Sequence, residues 1–329
     1  MPRADHIGLL HRGNRVVTRW GNLGLWRTRP PAAGPGSGSR AAAPGTKDAQ
    51  PGYPEACAAL ARAVGMAAGV TPGDTVLCLA CGGGEELALW AEEFGAGSVM
   101  ALELSPSLAA QARARAEANH TGCRIDVHCA DAGRLAEQVG GRFHRIVCVD
   151  AIYHLGPRAP LVRAAQQRLF GGGGLAWSDL VLEPPAALAA GTRWRRAVLW
   201  AGARLAGIHY AELRGTAATL ALWQDAGLAD VRAVRLDDDV LGGFRAHAAR
   251  QARRLRWRER LSLAWWRVVM TAALIRIGRP AGLGYALFSG RVRSADASAE
   301  TGLVNAAGAA ADPAAGAATG EESSVRETA

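Results

Sequence analysis

Lysine is almost absent from this sequence of 329 residues: Lys47 is the only one, and the positive net charge of +9 therefore comes from arginine. The arginines are spread along the whole chain, and no basic stretch is interleaved with aromatic residues as in RNA-binding motifs. Zinc-finger spacings of cysteine and histidine are also lacking. A diffuse arginine excess is typical of a solvated surface rather than of a groove for phosphates. We therefore expect no nucleic-acid partner.

Long apolar runs are lacking as well. The most apolar stretch, SLAWWRVVMTAALIRIG from Ser262, is interrupted by two arginines and falls short of the run of about twenty residues that spans a membrane. No secretory h-region with a cleavage site precedes the six cysteines, which favours reduced thiols and a cytoplasmic location, with membrane association as an option. The N-terminal stretch resembles an organelle transit peptide in its arginine content, but it carries Asp5 and lacks serine, which makes targeting the less favoured interpretation.

Two segments lack the large apolar side chains that a core needs. Residues 30–52 are rich in proline, glycine and alanine and predict a flexible linker after an N-terminal segment, residues 1–29. Residues 294–329 predict a disordered tail for the same reason. Since 49% of the residues are hydrophobic, one substantial core is expected, in a domain over residues 53–293.

Within that domain, short apolar runs alternate with helical patterns, which is typical of a parallel sheet with crossover helices. Ser105 and Pro106 suit the N-cap and the first position of one helix. The four glycines at 171–174 suit a C-cap that ends another. The predicted helices in this half are Glu85–Phe94, Pro106–Asn119 and Pro160–Phe170.

Seven runs predict strands, which gives an α/β fold with a doubly wound, mostly parallel, seven-stranded sheet. These runs are TVLCLA (75–80), SVMALE (98–103), RIDVHCA (124–130), HRIVCVD (144–150), LAWSDLVL (175–182), DVRAVRL (230–236) and GLGYALFSGRVR (282–293). Arginine-rich helical patterns between the later strands predict lid insertions at about 186–227 and 238–281.

The stretch CLACGGGEE, which begins at Cys78, allows two interpretations. Cys78 and Cys81 have the spacing of a metal or redox pair, but Cys78 lies inside a predicted strand, where a buried inert thiol is more common. No metal is expected. Alternatively, a strand that passes directly into a helix needs small residues at the turn, and a ligand can then approach Gly82 and Gly84 at backbone distance.

Three acids follow the glycine turn at the ends of successive strands. Glu103 comes about twenty residues after the glycines, as expected for a carboxylate that binds the two hydroxyls of a ribose. Asp131 and Asp150 end the next two strands, so the three carboxylates face one crevice. A nicotinamide dinucleotide would favour a third glycine where Leu87 stands, whereas S-adenosylmethionine carries a sulfonium cation and no phosphate. The acids favour S-adenosylmethionine.

With these residues in place, the stretch from about 53 to 182 resembles the class I S-adenosylmethionine-dependent methyltransferases. GDTVLCLACGGGEE is similar to their first motif, and LFGGGGLAWSDL to a later one. DAIYHLGPR, NLGLW and GYPEACAALA resemble the subgroup related to cyclopropane-fatty-acid, sterol, tocopherol and phosphoethanolamine methyltransferases. The sequence departs from the family at Cys78, where an acid is common, and at Ala80, where the first glycine is usual.

The resemblance implies a set of cofactor-binding residues. Gly82 and Gly84 would line the methionine part of S-adenosylmethionine, Glu103 would hold the ribose, and Asp131 with Ala132 would meet the adenine. The remaining members of the predicted set are Cys81, Leu104 and Asp150.

Methyl transfer needs alignment and exclusion of water more than reactive side chains. Tyr153 and His154 follow the fourth strand, where an acceptor would meet the methyl group. His154 is therefore the candidate base or orienting group, and Tyr153 the candidate positioning hydroxyl; a histidine at this place can equally be a backbone hydrogen-bond partner.

The two insertions are expected to supply the site for a small-molecule acceptor. Their helices are amphipathic and rich in tryptophan and arginine, which is compatible either with packing on a core or with contact to an anionic membrane surface. We therefore expect a hydrophobic or amphiphilic acceptor, such as a lipid, sterol, quinone or natural product. An NAD-type oxidoreductase and an inactive cofactor-binding protein are the alternatives.

Overall fold

A computed structural model describes residues 21–27, 51–119, 121–184 and 192–294. All of the predicted tail except Ser294, nearly all of the predicted linker and most of the N-terminal segment lie outside these ranges.

The sheet has seven strands, and helices precede, connect and follow most of them. The strands are β1 (Thr75–Leu79), β2 (Ser98–Glu103), β3 (Arg124–Cys129), β4 (Phe143–Cys148), β5 (Leu169–Leu182), β6 (Ala229–Arg235) and β7 (Leu283–Arg291). The α-helices are α1 (Tyr53–Ala68), α2 (Glu85–Ala88), α3 (Pro106–Glu117), α4 (Leu135–Gln138), α5 (Arg158–Gln167), α6 (Thr192–Ala206), α7 (Thr216–Asp225), α8 (Gly243–Arg254), α9 (Trp257–Arg260) and α10 (Leu263–Gly278). Short π-helical stretches lie at Leu89–Glu93 and Asp237–Gly242, and short 3-10 helices at Ala132–Arg134, Ile152–His154, Tyr210–Glu212 and Arg279–Ala281.

The strand order is β3-β2-β1-β4-β5-β7-β6. The neighbouring pairs from β3 to β5 are parallel, and β7 runs antiparallel to both β5 and β6. The predicted fold class, a doubly wound and mostly parallel seven-stranded sheet, is therefore confirmed. Because the chain moves outward from β1 in both directions, β1 and β4 flank the point where an open sheet forms a crevice at its carboxyl edge.

Both faces of the sheet are buried at its central strands, which explains why β1 and β4 are nearly continuous apolar runs, whereas the edge strands β3 and β6 are largely exposed. Along β1, Val76 and Cys78 pack into one core with α1, α2 and α3, whereas Leu77 and Leu79 pack into a second core with α4, α5 and α7. This alternation is the two-residue period of a strand. It buries Cys78 completely, directly before the glycine turn.

The N-cap prediction agrees with the structure, since the Leu108 N–H donates to Ser105 Oγ at 3.4 Å. The predicted C-cap at 171–174 is wrong: α5 already ends at Gln167, and the glycines belong to β5. They form an irregular part of the strand, because the register shifts between the pairs Phe143–Leu169 and Arg145–Gly174. A Cβ on Gly174 would collide with the backbone oxygen of Ala68, so the glycines permit a close approach instead of ending a helix.

Helices α6, α8, α9 and α10 occupy the ranges of the predicted insertions. In contrast, α7 packs against the sheet, where Trp223 is fully buried against Trp177 of β5 with their ring centroids 4.6 Å apart. The first insertion was predicted at about 186–227, but α7, at its end, belongs to the layer that packs on the sheet, so the insertion is shorter than predicted. No helix within the described residues is long and apolar enough to cross a bilayer.

Candidate functional site

The glycine turn joins β1 to α2 in a left-handed backbone conformation. Ala80, Gly82 and Gly84 have φ of 56°, 57° and 82°. At Gly84 a Cβ would lie 2.9 Å from Ala112 of α3, so glycine is needed there for packing. At Gly82 a Cβ would meet nothing within 4 Å, because this residue borders open space. The turn therefore exposes its backbone on the side of Gly82.

Glu103, at the end of β2, closes this turn from the next strand. Its carboxylate accepts hydrogen bonds from the N–H of Gly82 at 2.9 Å and of Ser105 at 2.9 Å. The structure therefore places the predicted ribose-binding acid directly on the glycine turn. Burial raises the pKa of Glu103, although these backbone donors act in the opposite direction.

A small cavity of about 70 Å³ lies beside the turn. Pockets that hold a whole ligand usually measure about 300 to 1,000 Å³, so this enclosed part suits only one end of a nucleoside-like ligand. The lining residues are Gly21, Asn22, Ala80, Cys81, Gly82, Gly83, Glu85, Glu86, Val149, Asp150 and Ala151.

The segment Gly21–Arg27 forms one wall of this cavity. The Tyr53 hydroxyl donates to the carbonyl oxygen of Asn22 at 2.7 Å, and Asn22 Nδ2 donates to the Cys57 carbonyl at 3.2 Å. The Leu23 N–H donates to Asp150 Oδ2 at 2.6 Å. These bonds hold the segment between α1 and the end of β4, which accounts for the position of NLGLW near the site.

Asp150 lies two residues beyond β4 and has a left-handed backbone, with φ of 53°. Its Oδ1 accepts hydrogen bonds from the hydroxyls of Tyr285, at 2.6 Å, and Tyr153, at 3.0 Å. Burial raises the pKa of Asp150 to about 6, and the hydrogen bonds from Tyr285, Leu23 and Tyr153 limit the rise. With three donors around it, Asp150 holds the turn and the N-terminal segment in place.

Sequence reasoning did not find the roles of Tyr285, Ser178 or Glu86. The Tyr285 hydroxyl also lies 3.0 Å from Ser178 Oγ, and the Asp150 N–H donates to the same Oγ at 2.8 Å. Both partners belong to strands far along the chain. Glu86 was visible as an acid after the glycines, but nothing in the sequence indicates that its side chain turns inward.

Asp131, Ala132 and Leu104 lie at the ends of β3 and β2, beside the same edge of the sheet. Asp131 Oδ1 accepts a hydrogen bond from the Gly133 N–H at 2.8 Å, and thereby caps a short helix. Ala132 is buried, and Leu104 is exposed. None of the three lines the small cavity, so their role toward adenine stays a prediction.

Tyr153 and His154 occupy the short helix after β4, but they point in different directions. Tyr153 is buried, and burial beside Asp150 raises its pKa well above the ordinary value, so the hydroxyl keeps its proton. His154 is exposed, and its Nδ1 lies 3.0 Å from the carbonyl oxygen of Gly207. The structure thus shows the backbone contact considered above for His154, and a role as base stays a prediction.

The thiol interpretation finds no support in the geometry. Cys78 and Cys81 are buried, and burial raises the pKa of both thiols well above the ordinary range, which makes them poor nucleophiles. Within the part of the chain that the structure describes, no group of three or more histidine, cysteine or acidic residues is arranged to hold a metal ion.

Comparisons with known proteins point to one family. Residues 76–173 match the family model of a methyltransferase domain. A mycolic acid cyclopropane synthase, solved with SAH and CTAB, has a TM-score of 0.68 at 15% identity, over 88% of this chain and 96% of that chain. For a cyclopropane synthase from Mycobacterium tuberculosis the TM-score is 0.61 at 17% identity, over 73% and 85%.

A geranyl diphosphate C-methyltransferase from Streptomyces coelicolor has a TM-score of 0.53 at 15% identity, over 72% of this chain and 81% of that chain. It was solved with S-adenosyl-L-homocysteine, Mg²⁺ and geranyl diphosphate. No curated protein matched the sequence. At these identities the solved structures show a shared fold, and the domain match shows that residues 76–173 resemble a methyltransferase domain.

Proposed function

We propose that this chain, which carries a methyltransferase domain at residues 76–173 and has the fold of S-adenosylmethionine-dependent methyltransferases, methylates a small amphiphilic acceptor, such as a lipid or a natural product, beside an anionic membrane surface. The family assignment made from the motifs is confirmed. The class of acceptor and the membrane contact are the proposal.

The cavity fits a cationic donor without phosphates. Three acidic residues, Glu85, Glu86 and Asp150, belong to its lining, and within the described residues no arginine, lysine or histidine lines it. Such a lining favours a cation and disfavours a pyrophosphate. Leu87, at the place of the third glycine, is buried in the core. The NAD-type oxidoreductase is therefore set aside.

When bound, S-adenosylmethionine supplies a methyl carbon that the adjacent sulfonium has already activated. The open backbone at Gly82 would hold its amino-acid part, and the Glu103 carboxylate its ribose. Gly21 and Asn22 line one side of the cavity, and the bond from the Leu23 N–H to Asp150 holds this segment there. The chain's task is thus to bind and align the two reactants.

The observation that supports the acceptor class is a set of exposed apolar side chains on α6, α9 and α10 and in the turn between the last two, which we call the Trp-Arg surface. Nine of the thirteen large apolar side chains that are exposed among the described residues belong to it: Trp194, Trp200, Leu205, Trp257, Leu261, Leu263, Trp266, Val269 and Met270. Residues 192–206 and 243–278 also contain thirteen arginines and a single acid, Glu259. Tryptophan and leucine beside arginine are the composition of helices that lie on anionic membranes.

An open groove of about 570 Å³ lies between α8 and α10, next to this surface. Alanines, Trp265 and Val269 line it together with Arg245 and Arg276. Its size is that of a ligand pocket. An apolar groove with arginines in its lining fits an acyl or isoprenoid chain that carries an anionic head group.

Helix α8, which lines the groove, also contacts the N-terminal segment whose Gly21 and Asn22 line the donor cavity. Trp26, in this segment, packs directly on Gly243, and its ring stacks on His247 with the centroids 4.7 Å apart. The solved structures with this fold are compatible with such an acceptor: one is a mycolic acid cyclopropane synthase with CTAB, and another is a geranyl diphosphate C-methyltransferase.

The acceptor class can be tested by transfer of a labelled methyl group. Purified protein is incubated with methyl-labelled S-adenosylmethionine and an extract of cell membranes, and the products are separated into organic, aqueous and protein fractions. We expect the label in the organic fraction, because an amphiphilic acceptor keeps its chain after methylation. Label confined to protein or to water-soluble products would contradict the proposed acceptor, and no transfer at all would support the inactive cofactor-binding alternative.

Membrane contact predicts that Trp257→Ala/Trp266→Ala lowers binding to vesicles of phosphatidylglycerol and phosphatidylcholine by about tenfold or more, because two exposed indoles are lost from the bilayer interface. Binding is measured by co-sedimentation at low and high salt, since the arginines act through screened charges. Phe170→Ala removes an exposed aromatic ring outside the Trp-Arg surface and is the matched control. The membrane contact is excluded if the parent protein does not sediment with these vesicles at low salt.

A further inference from the structure

Glu86 has an unusual position for an acid, at the second residue of α2 with its side chain directed back toward β1. The Cys78 thiol donates to Glu86 Oε1 at 2.8 Å, and Glu86 is 6% exposed. In the described part of the chain this is the one hydrogen bond that we find on its carboxyl group. A thiol is a weak donor, so burial of this carboxyl is poorly compensated.

The other two carboxyl groups that line the cavity have stronger partners. Asp150 accepts three hydrogen bonds, as described above. Glu85 lies 2.8 Å from a guanidinium nitrogen of Arg115 on α3. Glu86 is therefore the carboxyl in the cavity wall that has most to gain from a cationic ligand.

We propose that Glu86 binds the α-ammonium group of S-adenosylmethionine. The inference rests on the donor assigned above and adds to it the residue that holds one end. The cavity, at about 70 Å³, is too small for the whole donor and matches its amino-acid end better than its nucleoside. In the family an acid is common at the position of Cys78, on the strand before the turn. Here the carboxyl group of Glu86, from the helix after the turn, lies against the Cys78 side chain.

Among the residues that the structure describes, the titratable groups that face Glu86 are thiols and an acid, and none of them is a cation. Cys78 faces it from β1, Cys81 from the turn, Glu103 from β2 and Cys148 from β4. Burial raises the pKa of Glu86 to about 8, and the nearby Glu103 contributes to the rise. Near neutral pH the carboxyl group therefore carries its proton while the site is without the donor.

A bound ammonium group favours the ionised carboxylate, so binding of the donor should release the proton of Glu86 to the buffer. Affinity should accordingly increase as the pH rises toward about 8, the pKa of Glu86. An acid with an ordinary pKa would already be ionised at neutral pH and would release none.

The test uses calorimetry with S-adenosylhomocysteine, which has the ammonium group but no sulfonium, at about pH 7, where that ammonium is still mostly protonated. Measurements in phosphate and in Tris, which differ in their heat of ionisation, give the number of protons released. We expect close to one proton for the parent protein and none for Glu86→Gln. The variant should also bind about 10- to 100-fold more weakly, because a charge-assisted hydrogen bond is lost.

Two ligands separate binding at the ammonium from a structural role of Glu86. 5′-Methylthioadenosine lacks the amino-acid part, and we expect parent and Glu86→Gln to bind it equally and without proton release. If Glu86→Gln weakens binding of 5′-methylthioadenosine as much as that of S-adenosylhomocysteine, Glu86 only supports the turn and the proposal is wrong. If it weakens S-adenosylmethionine but not S-adenosylhomocysteine, the carboxyl faces the sulfonium instead, which also overturns the proposal.

Glu92→Gln, on the exposed side of the following π-helical stretch, is the matched control and should leave affinity and proton release unchanged. Proton release that persists in Glu86→Gln would assign the proton to Glu103 and overturn the proposal. Failure of the proposed function looks different: S-adenosylhomocysteine would then give no heat with the parent protein, or the labelled methyl group would not reach an amphiphile.

Discussion

Replacement of Glu103 by alanine is expected to weaken binding of S-adenosylhomocysteine by more than about 100-fold, because a carboxylate that accepts two hydroxyl hydrogens contributes two charge-assisted hydrogen bonds. Each oxygen of Glu103 already accepts one backbone N–H, from Gly82 or Ser105, and retains a further lone pair for a ribose hydroxyl. The same residue thus shapes the turn and offers the acceptors. Calorimetry with S-adenosylhomocysteine measures the effect.

The variant Glu103→Gln separates these two roles. Its amide oxygen can still accept a backbone N–H, but it lacks the charge and one of the two acceptors, so we expect a native-like thermal unfolding transition with strongly reduced binding. Glu92→Ala removes an exposed acid and is the control for net charge. Because burial raises the pKa of Glu103, the affinity of the parent should decrease on acidification at a higher pH than an exposed glutamate would require.

Two results would contradict this assignment of Glu103. Glu103→Ala could bind S-adenosylhomocysteine as tightly as the parent protein, which would place the ribose elsewhere. Alternatively, Glu103→Gln could lose as much thermal stability as binding, which would make the residue a structural support of the turn. Either result would leave the methyltransferase fold intact as a conclusion, because the fold rests on the sheet and its topology.

Much of the fold could be predicted from the sequence because the central strands of the sheet are buried on both faces. Runs such as TVLCLA must be apolar on both sides in such a sheet, and this leaves a strong signal. The helix cap predicted at glycines 171–174 was wrong. Glycines that allow close packing in an irregular strand look the same in a sequence as glycines that end a helix. Helix α1 was also missed as an element, because its alanine-rich sequence resembles the preceding linker in composition.

Some of the site residues could be predicted from the sequence in the same way, and others could not. Gly82 and Glu103 follow from a local pattern of strand, turn and strand, and the structure brings them into direct contact. The bonds of Asp150 to Leu23 and Tyr285 join residues 127 and 135 positions apart, and no spacing rule in a single sequence indicates them. The inward direction of Glu86 depends on how α2 is set against β1, which is a property of the packing.

The largest loss of stability is expected for Arg158→Ala, at the start of α5. Arg158 forms two hydrogen bonds with Asp179 of β5, at 3.0 and 2.9 Å, and both side chains are buried. Its Nη1 also donates to the carbonyl oxygens of Ile152, at 2.8 Å, and Gly156, at 3.3 Å. One guanidinium therefore ties the loop that carries Tyr153 to the central sheet.

Removal of the guanidinium leaves a buried carboxylate without its partner, and such a change costs about 3 to 5 kcal/mol. We expect urea denaturation of Arg158→Ala to show a decrease of this size in the free energy of unfolding. The double variant Arg158→Met/Asp179→Leu should recover most of it, because a pair of apolar side chains removes the buried charge as well. Equal losses in the single and double variants would show instead that the bonds to the Ile152 and Gly156 carbonyls dominate. Arg163→Ala, which changes a largely exposed arginine on the same helix, should differ little from the parent protein.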